Sequence, residues 1–104
     1  MAFYKVKWQP SAKNQFATIL NYFSERNKNN EYSSKLLASI KEATNNLSVF
    51  PELGKITDYE NVRELIHIDY SIFYFFDNNK IDIVLFWDNR RNPDLLEKEL
   101  LKLL

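Results

Sequence analysis

Cysteine is absent from this sequence of 104 residues, and glycine and proline are scarce, with one and three copies. The absence of cysteine excludes disulfides, thiolate metal sites and cysteine nucleophiles. A single glycine excludes the glycine-rich loops that cradle phosphate groups. Since so little of the chain can be loop or linker, we expect a single domain over residues 1–104 that is dense in regular structure.

The sequence also lacks net charge, because 14 basic residues balance 14 acidic ones. Nucleic-acid-binding proteins usually carry a basic surplus, so a role on nucleic acid would need a local basic patch. No apolar run is long enough to span a bilayer, and the N-terminus lacks the pattern of a signal peptide, so we expect a soluble cytoplasmic protein. One histidine and scattered acids form no ligand cluster, so we expect no metal, cofactor or small-molecule ligand.

Hydrophobic residues make up 45% of the chain, and their spacing predicts the elements of its first half. Residues 3–8 alternate between apolar and polar side chains, as a half-buried strand does. Pro10 opens an amphipathic helix that the polar run 24–30 breaks. A second helix begins near Glu31 and ends at the turn 50–54, so the two helices form a helical hairpin.

The second half is rich in strands. Three of them follow at residues 62–68, 70–76 and 81–87, with a hairpin turn at 77–80. A final helix begins at the cap formed by residues 92–94 and continues to the end of the chain. The order β-α-α-β-β-β-α predicts an α+β fold, in which an antiparallel meander with an added N-terminal strand packs on the helical hairpin.

The last two strands are apolar on both faces. In the first of these two strands, simple alternation places one set of side chains, Tyr70, Ile72, Tyr74 and Phe76, on one face of the sheet and Phe73 and Phe75 on the other face. In the second strand it places Ile81, Ile83, Leu85 and Trp87 on one face and Val84 and Phe86 on the other. A sheet with helices on one side only is usually polar on its other side. Either the leucine-rich final helix covers the second face or a partner chain does, and both can hold because one short helix cannot cover a whole sheet.

Several short segments resemble, in order and spacing, those of the RelE/ParE superfamily of toxins, also called plasmid-stabilisation proteins. These segments are residues 10–12 at the start of the first helix, the Pro-x-x-Gly turn within residues 50–54, the arginine-containing strand at residues 62–65, the Tyr-x-x-x-Tyr strand at residues 70–74, and the last strand with the arginine-containing turn after it at residues 83–93. The resemblance covers the whole chain. It implies the toxin component of a type II toxin–antitoxin system, which inhibits growth when its cognate antitoxin protein does not neutralise it.

The resemblance leaves the cellular target open. RelE-like members are ribosome-dependent mRNA endoribonucleases, and ParE-like members block DNA gyrase. The catalytic pattern of the RelE branch is poorly matched, because Ser71 stands where that branch has an arginine and residues 94–104 contain neither tyrosine nor histidine. Leu65 also stands where a second basic residue would be useful. These departures favour a ParE-like, gyrase-directed toxin over two alternatives, an mRNA endoribonuclease and a non-toxic relic that only binds an antitoxin.

If the chain is an enzyme, its catalytic candidates are Arg63, His67, Asp88, Arg90 and Arg91. The arginines would stabilise charge on the phosphorane, His67 would accept or donate a proton, and Asp88 is close in sequence to Arg90. Each has a structural alternative as well. Arg63 would pair with Asp82 or Asp88, His67 would be partly buried in its strand, and Asp88 would only cap a turn.

Overall fold

The computed structural model describes residues 3–103 and confirms the α+β fold. Its elements are β1 (Lys5–Trp8), α1 (Pro10–Asn27), α2 (Glu31–Val49), β2 (Lys55–Ile56), β3 (Arg63–His67), β4 (Tyr70–Asp77), β5 (Lys80–Asp88) and α3 (Pro93–Leu101). The strands form one five-stranded sheet in the order β1-β5-β4-β3-β2. β1 is parallel to β5 and the other neighbours are antiparallel, so the first strand is added to the meander as predicted. No helix within residues 3–103 is both long and apolar enough to cross a membrane.

The end of α1 and a short extra strand, β2, differ from the expectation. The polar run 24–30 does not break α1 at its start, since the helix continues to Asn27 and Lys28 closes it at a left-handed φ of 56°. Polar side chains are compatible with a helix wherever they face solvent, so polarity alone does not end one. β2, at residues 55–56, is absent from the predicted order because two residues are too few to show a period.

The helical hairpin packs on one face of the sheet, which we call the helix face. Its buried core residues are Ala12, Phe16, Leu36, Ile40, Ala43 and Leu47 of the helices and Tyr70, Ile72, Tyr74, Ile81, Ile83 and Phe86 of the sheet. The Phe16 ring centroid lies 4.7 Å from that of Phe86 and 5.5 Å from that of Trp8. This aromatic cluster fixes α1 across β1 and β5.

β5 contains a β-bulge at Val84. The register pairs Tyr74 with Ile83 and Phe73 with Leu85, so Val84 has no partner of its own on β4. An extra residue on one strand shifts every later side chain to the opposite face of the sheet.

The bulge corrects the predicted faces of β5. Leu85 and Trp87 do not share a face with Ile81 and Ile83, because they lie on the second face, away from the helical hairpin. Phe86 lies on the helix face instead. The alternation predicted for β4 is confirmed, since β4 has no extra residue.

The final helix covers the centre of the second face, so the first of the two alternatives for this face is confirmed there. Its Leu96 and Leu100, with Leu103 just beyond it, pack against a cluster formed by Val62, Phe73, Val84, Leu85 and Trp87. The helix starts as predicted, because the Asn92 side chain accepts a hydrogen bond from the backbone N of Asp94 at 2.9 Å. It ends at Leu101 rather than at the chain end, and Leu104 lies outside the described residues.

The one glycine lies where the turn after α2 meets the sheet. Tyr74 Oη donates a hydrogen bond to the Pro51 carbonyl at 2.6 Å and accepts one from Gly54 N at 2.8 Å. A Cβ atom on Gly54 would lie 2.6 Å from Tyr74 Oη, so no side chain fits there without displacing the ring. Arg63 closes the same turn by donating to the carbonyls of Gly54 at 2.8 Å and Glu52 at 3.3 Å.

We therefore expect Gly54→Ala to lower the free energy of unfolding by about 2–4 kcal/mol, through overpacking and loss of the tyrosine hydrogen bonds. Tyr74→Phe keeps the ring but leaves the buried Gly54 N–H unsatisfied, and should cost about 1–3 kcal/mol. The double variant should cost less than the sum, because both changes disrupt one contact. Urea denaturation measures all three, and a Gly54→Ala midpoint equal to that of the wild type would contradict the contact.

Candidate functional site

β5 ends in a turn that presents two arginines. Asp88 Oδ1 accepts a hydrogen bond from Arg90 N at 2.9 Å, and the Asp88 carbonyl accepts one from Arg91 N at 3.0 Å. Asn89 N donates to the Asp69 carbonyl at 2.8 Å, which ties this turn to the hairpin between β3 and β4. An aspartate side chain that bonds the amide two residues later is a common way to close a turn. Asp88 thus caps the turn and sets the direction of Arg90.

The Arg90 guanidinium forms a two-pronged ion pair with Asp88. Its Nε donates to Oδ1 at 2.9 Å and its Nη2 donates to Oδ2 at 2.8 Å. The hydrogen bond from Arg90 holds the pKa of Asp88 below its usual 3.8, and the same bond raises the pKa of Arg90. Because a carboxylate with a lowered pKa is a weak base, Asp88 is poorly suited to accept a proton from a ribose hydroxyl.

Tyr70 lies beside this pair on β4, in register with Asp88. The residue is fully buried, and its Oη accepts a hydrogen bond from Arg90 Nη2 at 3.3 Å. Burial, and then the neighbouring Tyr32, raise the pKa of the Tyr70 hydroxyl. The phenol is therefore neutral near pH 7 and acts as a support for Arg90 rather than as a base.

Arg91 is held by an aromatic ring instead of a carboxylate. Its guanidinium carbon lies 4.3 Å from the ring centroid of Trp87, which is only 2% exposed. A cation over the face of a tryptophan is attracted by the quadrupole of the ring. Arg91 is exposed, and no ion pair within residues 3–103 involves it.

A groove of about 450 Å³ runs between the second half of α1 and this turn. We call it the arginine groove, and its main lining residues are Ile19, Tyr22, Phe23, Arg26, Arg90 and Arg91. Arg26 Nη1 donates to Tyr22 Oη at 3.4 Å. Three guanidinium groups and one carboxylate surround an apolar and aromatic wall, which suits an acidic protein segment or a phosphate.

The α1 side of the groove is absent from the sequence prediction. Tyr22 and Arg26 are four residues apart, so they share one helix face, and this spacing is the one signal that the sequence offers. That this face lies against the end of β5 depends on how α1 packs on the sheet, which spacing within a helix does not reveal.

Arg63 lies elsewhere. The predicted ion pair of Arg63 with Asp82 or Asp88 is not formed. The guanidinium of Arg63 instead donates hydrogen bonds to the carbonyls of Glu52 and Gly54. It also lies 5.5 Å from the ring centroid of Phe76. The cavity beside it, about 260 Å³, is separate from the arginine groove.

His67 occupies a third position. Its Nε2 is hydrogen-bonded to Ser39 Oγ, so the imidazole connects β3 to α2. Although His67 is in register with Tyr70, it lines a different cavity of about 260 Å³. This half-buried link matches the structural alternative for His67.

The structure therefore brings together Asp88, Arg90 and Arg91, and leaves Arg63 and His67 apart from them. The arginine groove is lined by guanidinium groups, but the carboxylate of Asp88 is ion-paired with Arg90 and the nearby phenol of Tyr70 is neutral. No group of three His, Cys, Asp or Glu side chains that could hold a metal ion occurs within residues 3–103. The arrangement of the arginine groove is suited to binding negative charge.

A family model described as the ParE toxin of the parDE type II toxin–antitoxin system matches residues 6–93. The chain belongs to this family. The match begins in β1, ends at the first residue of α3 and includes the whole turn that carries Arg90 and Arg91. The predicted resemblance is thereby confirmed, and the chain is a type II toxin by family. No curated protein matches the sequence.

A solved structure gives the same fold. It belongs to the chromosomal ParDE toxin–antitoxin system from P. aeruginosa, and it superposes with a TM-score of 0.70 at 18% sequence identity. The similarity covers 81% of this chain and 94% of that chain. At this identity the likeness concerns the fold alone, and it confirms the predicted RelE/ParE-like architecture.

The ion pair at the turn should contribute measurably to stability. We expect Asp88→Asn to lower the free energy of unfolding by about 1 kcal/mol at pH 7, since Arg90 is half exposed and solvent screens the pair. The folded-state pKa of Asp88 is lowered, so its contribution is present above pH 3.8 and is lost as the pH falls through the lower folded-state value.

Urea denaturation across this pH range checks the expectation, with Asp69→Asn as the control. The Asp69 carboxylate is exposed and 3.9 Å from Arg90, so its removal should change little. If wild type and Asp88→Asn differ equally at pH 7 and in acid, the ion pair is not the source of the difference.

Proposed function

We propose that this ParE-family toxin inhibits growth by binding DNA gyrase, and that an antitoxin encoded beside it neutralises the toxicity. Family membership supports the toxin role. The observation that favours gyrase over the ribosome is the dispersal of the candidate catalytic residues over three separate cavities.

Cleavage of RNA through its own 2′-hydroxyl needs a base, an acid and a cation within reach of one phosphate. The Asp88 carboxylate is ion-paired with Arg90, the Tyr70 phenol is neutral, and the His67 imidazole is hydrogen-bonded to Ser39 of α2. What remains at the arginine groove is a set of cations without a proton acceptor. Such a set favours a toxin that binds its target over one that cuts RNA.

We propose the arginine groove as the contact surface for the target. Arginine and the large aromatic residues carry much of the binding free energy at protein interfaces. Arg90 is fixed by Asp88 and Arg91 by Trp87, so little side-chain entropy is lost when a partner binds. A negatively charged surface of the target protein would complement the groove.

Pulse labelling of DNA and protein synthesis after induction of this gene alone tests the proposal. We expect DNA synthesis to stop first. If protein synthesis stops first, the ribosome-dependent endoribonuclease is the better description. If growth and both syntheses continue, the chain is a relic that only binds an antitoxin.

Two substitutions test the groove itself. The pair Arg26→Ala and Arg91→Ala leaves the Asp88–Arg90 ion pair intact, and it should weaken binding of the purified chain to immobilised gyrase by about tenfold or more. Lys98→Ala, which removes an exposed cation of α3, is the control and should bind like the wild type. Equal binding by the double variant and the control, at unchanged melting temperatures, would remove the groove from the target interface.

A further inference from the structure

The hairpin between β3 and β4 turns through two residues, Ile68 and Asp69. Ile68 has a φ of 57°, which lies in the left-handed region of the backbone map. A β-branched side chain is an outlier in this region because its Cβ substituents crowd the backbone, whereas glycine, asparagine and aspartate are tolerated there. The tip of this hairpin therefore keeps a residue that strains its own backbone.

Other turns of the same chain avoid this strain. Within residues 3–103 the other residues with a left-handed φ are Lys28, Asn61 and Asn78. Two of these three are asparagine, which fits the conformation at little cost, and lysine has no branch at Cβ. An asparagine at position 68 would serve the turn better, so the geometry of the turn does not explain the isoleucine.

Packing within the chain does not explain Ile68 either. Its side chain is 69% exposed, and it belongs to neither of the two hydrophobic clusters of the described residues. A single exposed apolar residue is common and needs no explanation by itself. Exposure combined with strain is different, because the residue then gains little from the core to offset the strained backbone. Strain of this kind is concentrated at binding and catalytic positions.

The hairpin tip is fixed to the turn that carries the arginines. Asn89 N donates to the Asp69 carbonyl at 2.8 Å, and Asn89 Nδ2 donates to the buried Ser71 Oγ at 2.8 Å. The Asp69 carboxylate lies 3.9 Å from Arg90 Nη1. These contacts join the two turns at one end of the sheet, so Ile68 is held next to the turn that lines the arginine groove.

We infer that Ile68 is an apolar anchor of the target interface and enters an apolar pocket of DNA gyrase beside the acidic surface that the arginine groove contacts. The inference rests on the proposed function. It adds a contact residue outside the groove and a second chemical feature of the surface that is recognised. A rigid anchor next to fixed arginines loses little conformational entropy when the partner binds.

The position of Ile68 favours the target over a second copy of this chain. A stable interface buries about 800 Å² on each partner, which one isoleucine cannot supply, so the neighbouring surface must take part. That surface includes the arginine groove, where Arg26, Arg90 and Arg91 outnumber the single carboxylate of Asp88. A symmetric contact between two copies would bring the arginines of both chains together, and like charges in contact oppose association.

Ile68→Asn tests the inference because it should separate stability from binding. Asparagine relieves the strained backbone, so we expect the variant to melt about 4 °C or more above the wild type. Loss of the apolar anchor should nevertheless weaken binding to immobilised gyrase by about fivefold or more. A variant that is more stable and binds less tightly cannot owe its weaker binding to damaged folding.

Two further variants serve as controls. Ile68→Leu keeps an apolar side chain at the tip and should bind within about twofold of the wild type. Ile56→Asn makes the matched change at an isoleucine that is 76% exposed in β2, which pairs with the opposite end of β3, and it should also bind like the wild type. Equal weakening by Ile68→Leu and Ile68→Asn, or by Ile56→Asn and Ile68→Asn, would overturn the inference.

Wild-type affinity in Ile68→Asn would overturn the inference and leave the proposed function in place. Weaker binding in an Ile68→Asn chain that melts below the wild type would trace the effect to folding and would overturn it too. Sedimentation that shows dimers of the wild type and monomers of Ile68→Asn would assign the residue to a contact between copies instead. If the wild-type chain does not bind gyrase, the proposed function fails and the inference fails with it.

Discussion

Val84 has no partner on β4, and this extra residue in a central strand determines what each face of the sheet carries beyond it. Without the bulge, Asp88 would share a face with Val84, away from Tyr70 and α1. With the bulge, Asp88 lies in register with Tyr70 on the helix face, where it holds Arg90 beside α1. The arginine groove therefore depends on one irregularity of strand pairing. The same shift moves Trp87 to the second face, where α3 and Arg91 cover it.

The three candidate arginines lie in three different environments. Arg63 closes the turn at Gly54 through two carbonyls, which is a structural task. Arg90 is neutralised in part by Asp88, whereas Arg91 is exposed and lies over the ring of Trp87. These environments differ in charge balance and in available hydrogen-bond donors, and they determine what each side chain can do.

Much of the architecture follows from periodicity in the sequence. Both helices of the hairpin, the three long strands and the cap at Asn92 are marked by apolar spacing or by turn residues. The bulge is not marked, because β5 is apolar on both faces and a shift by one residue leaves the pattern of residue types unchanged. The joint position of Asp88, Arg90 and Arg91 could be predicted from their proximity in sequence. The sequence could not predict that Arg63 and His67 lie apart from this group. Their positions depend on which face and which end of the sheet each side chain occupies.

The proposed function is that of a toxin that binds DNA gyrase through the arginine groove. The most direct test is the supercoiling of relaxed plasmid DNA by purified gyrase, with and without the purified chain, in the absence of ribosomes and RNA. The account predicts that the chain inhibits supercoiling and that the product of the adjacent reading frame restores it. Full gyrase activity at a large molar excess of folded chain would contradict the account.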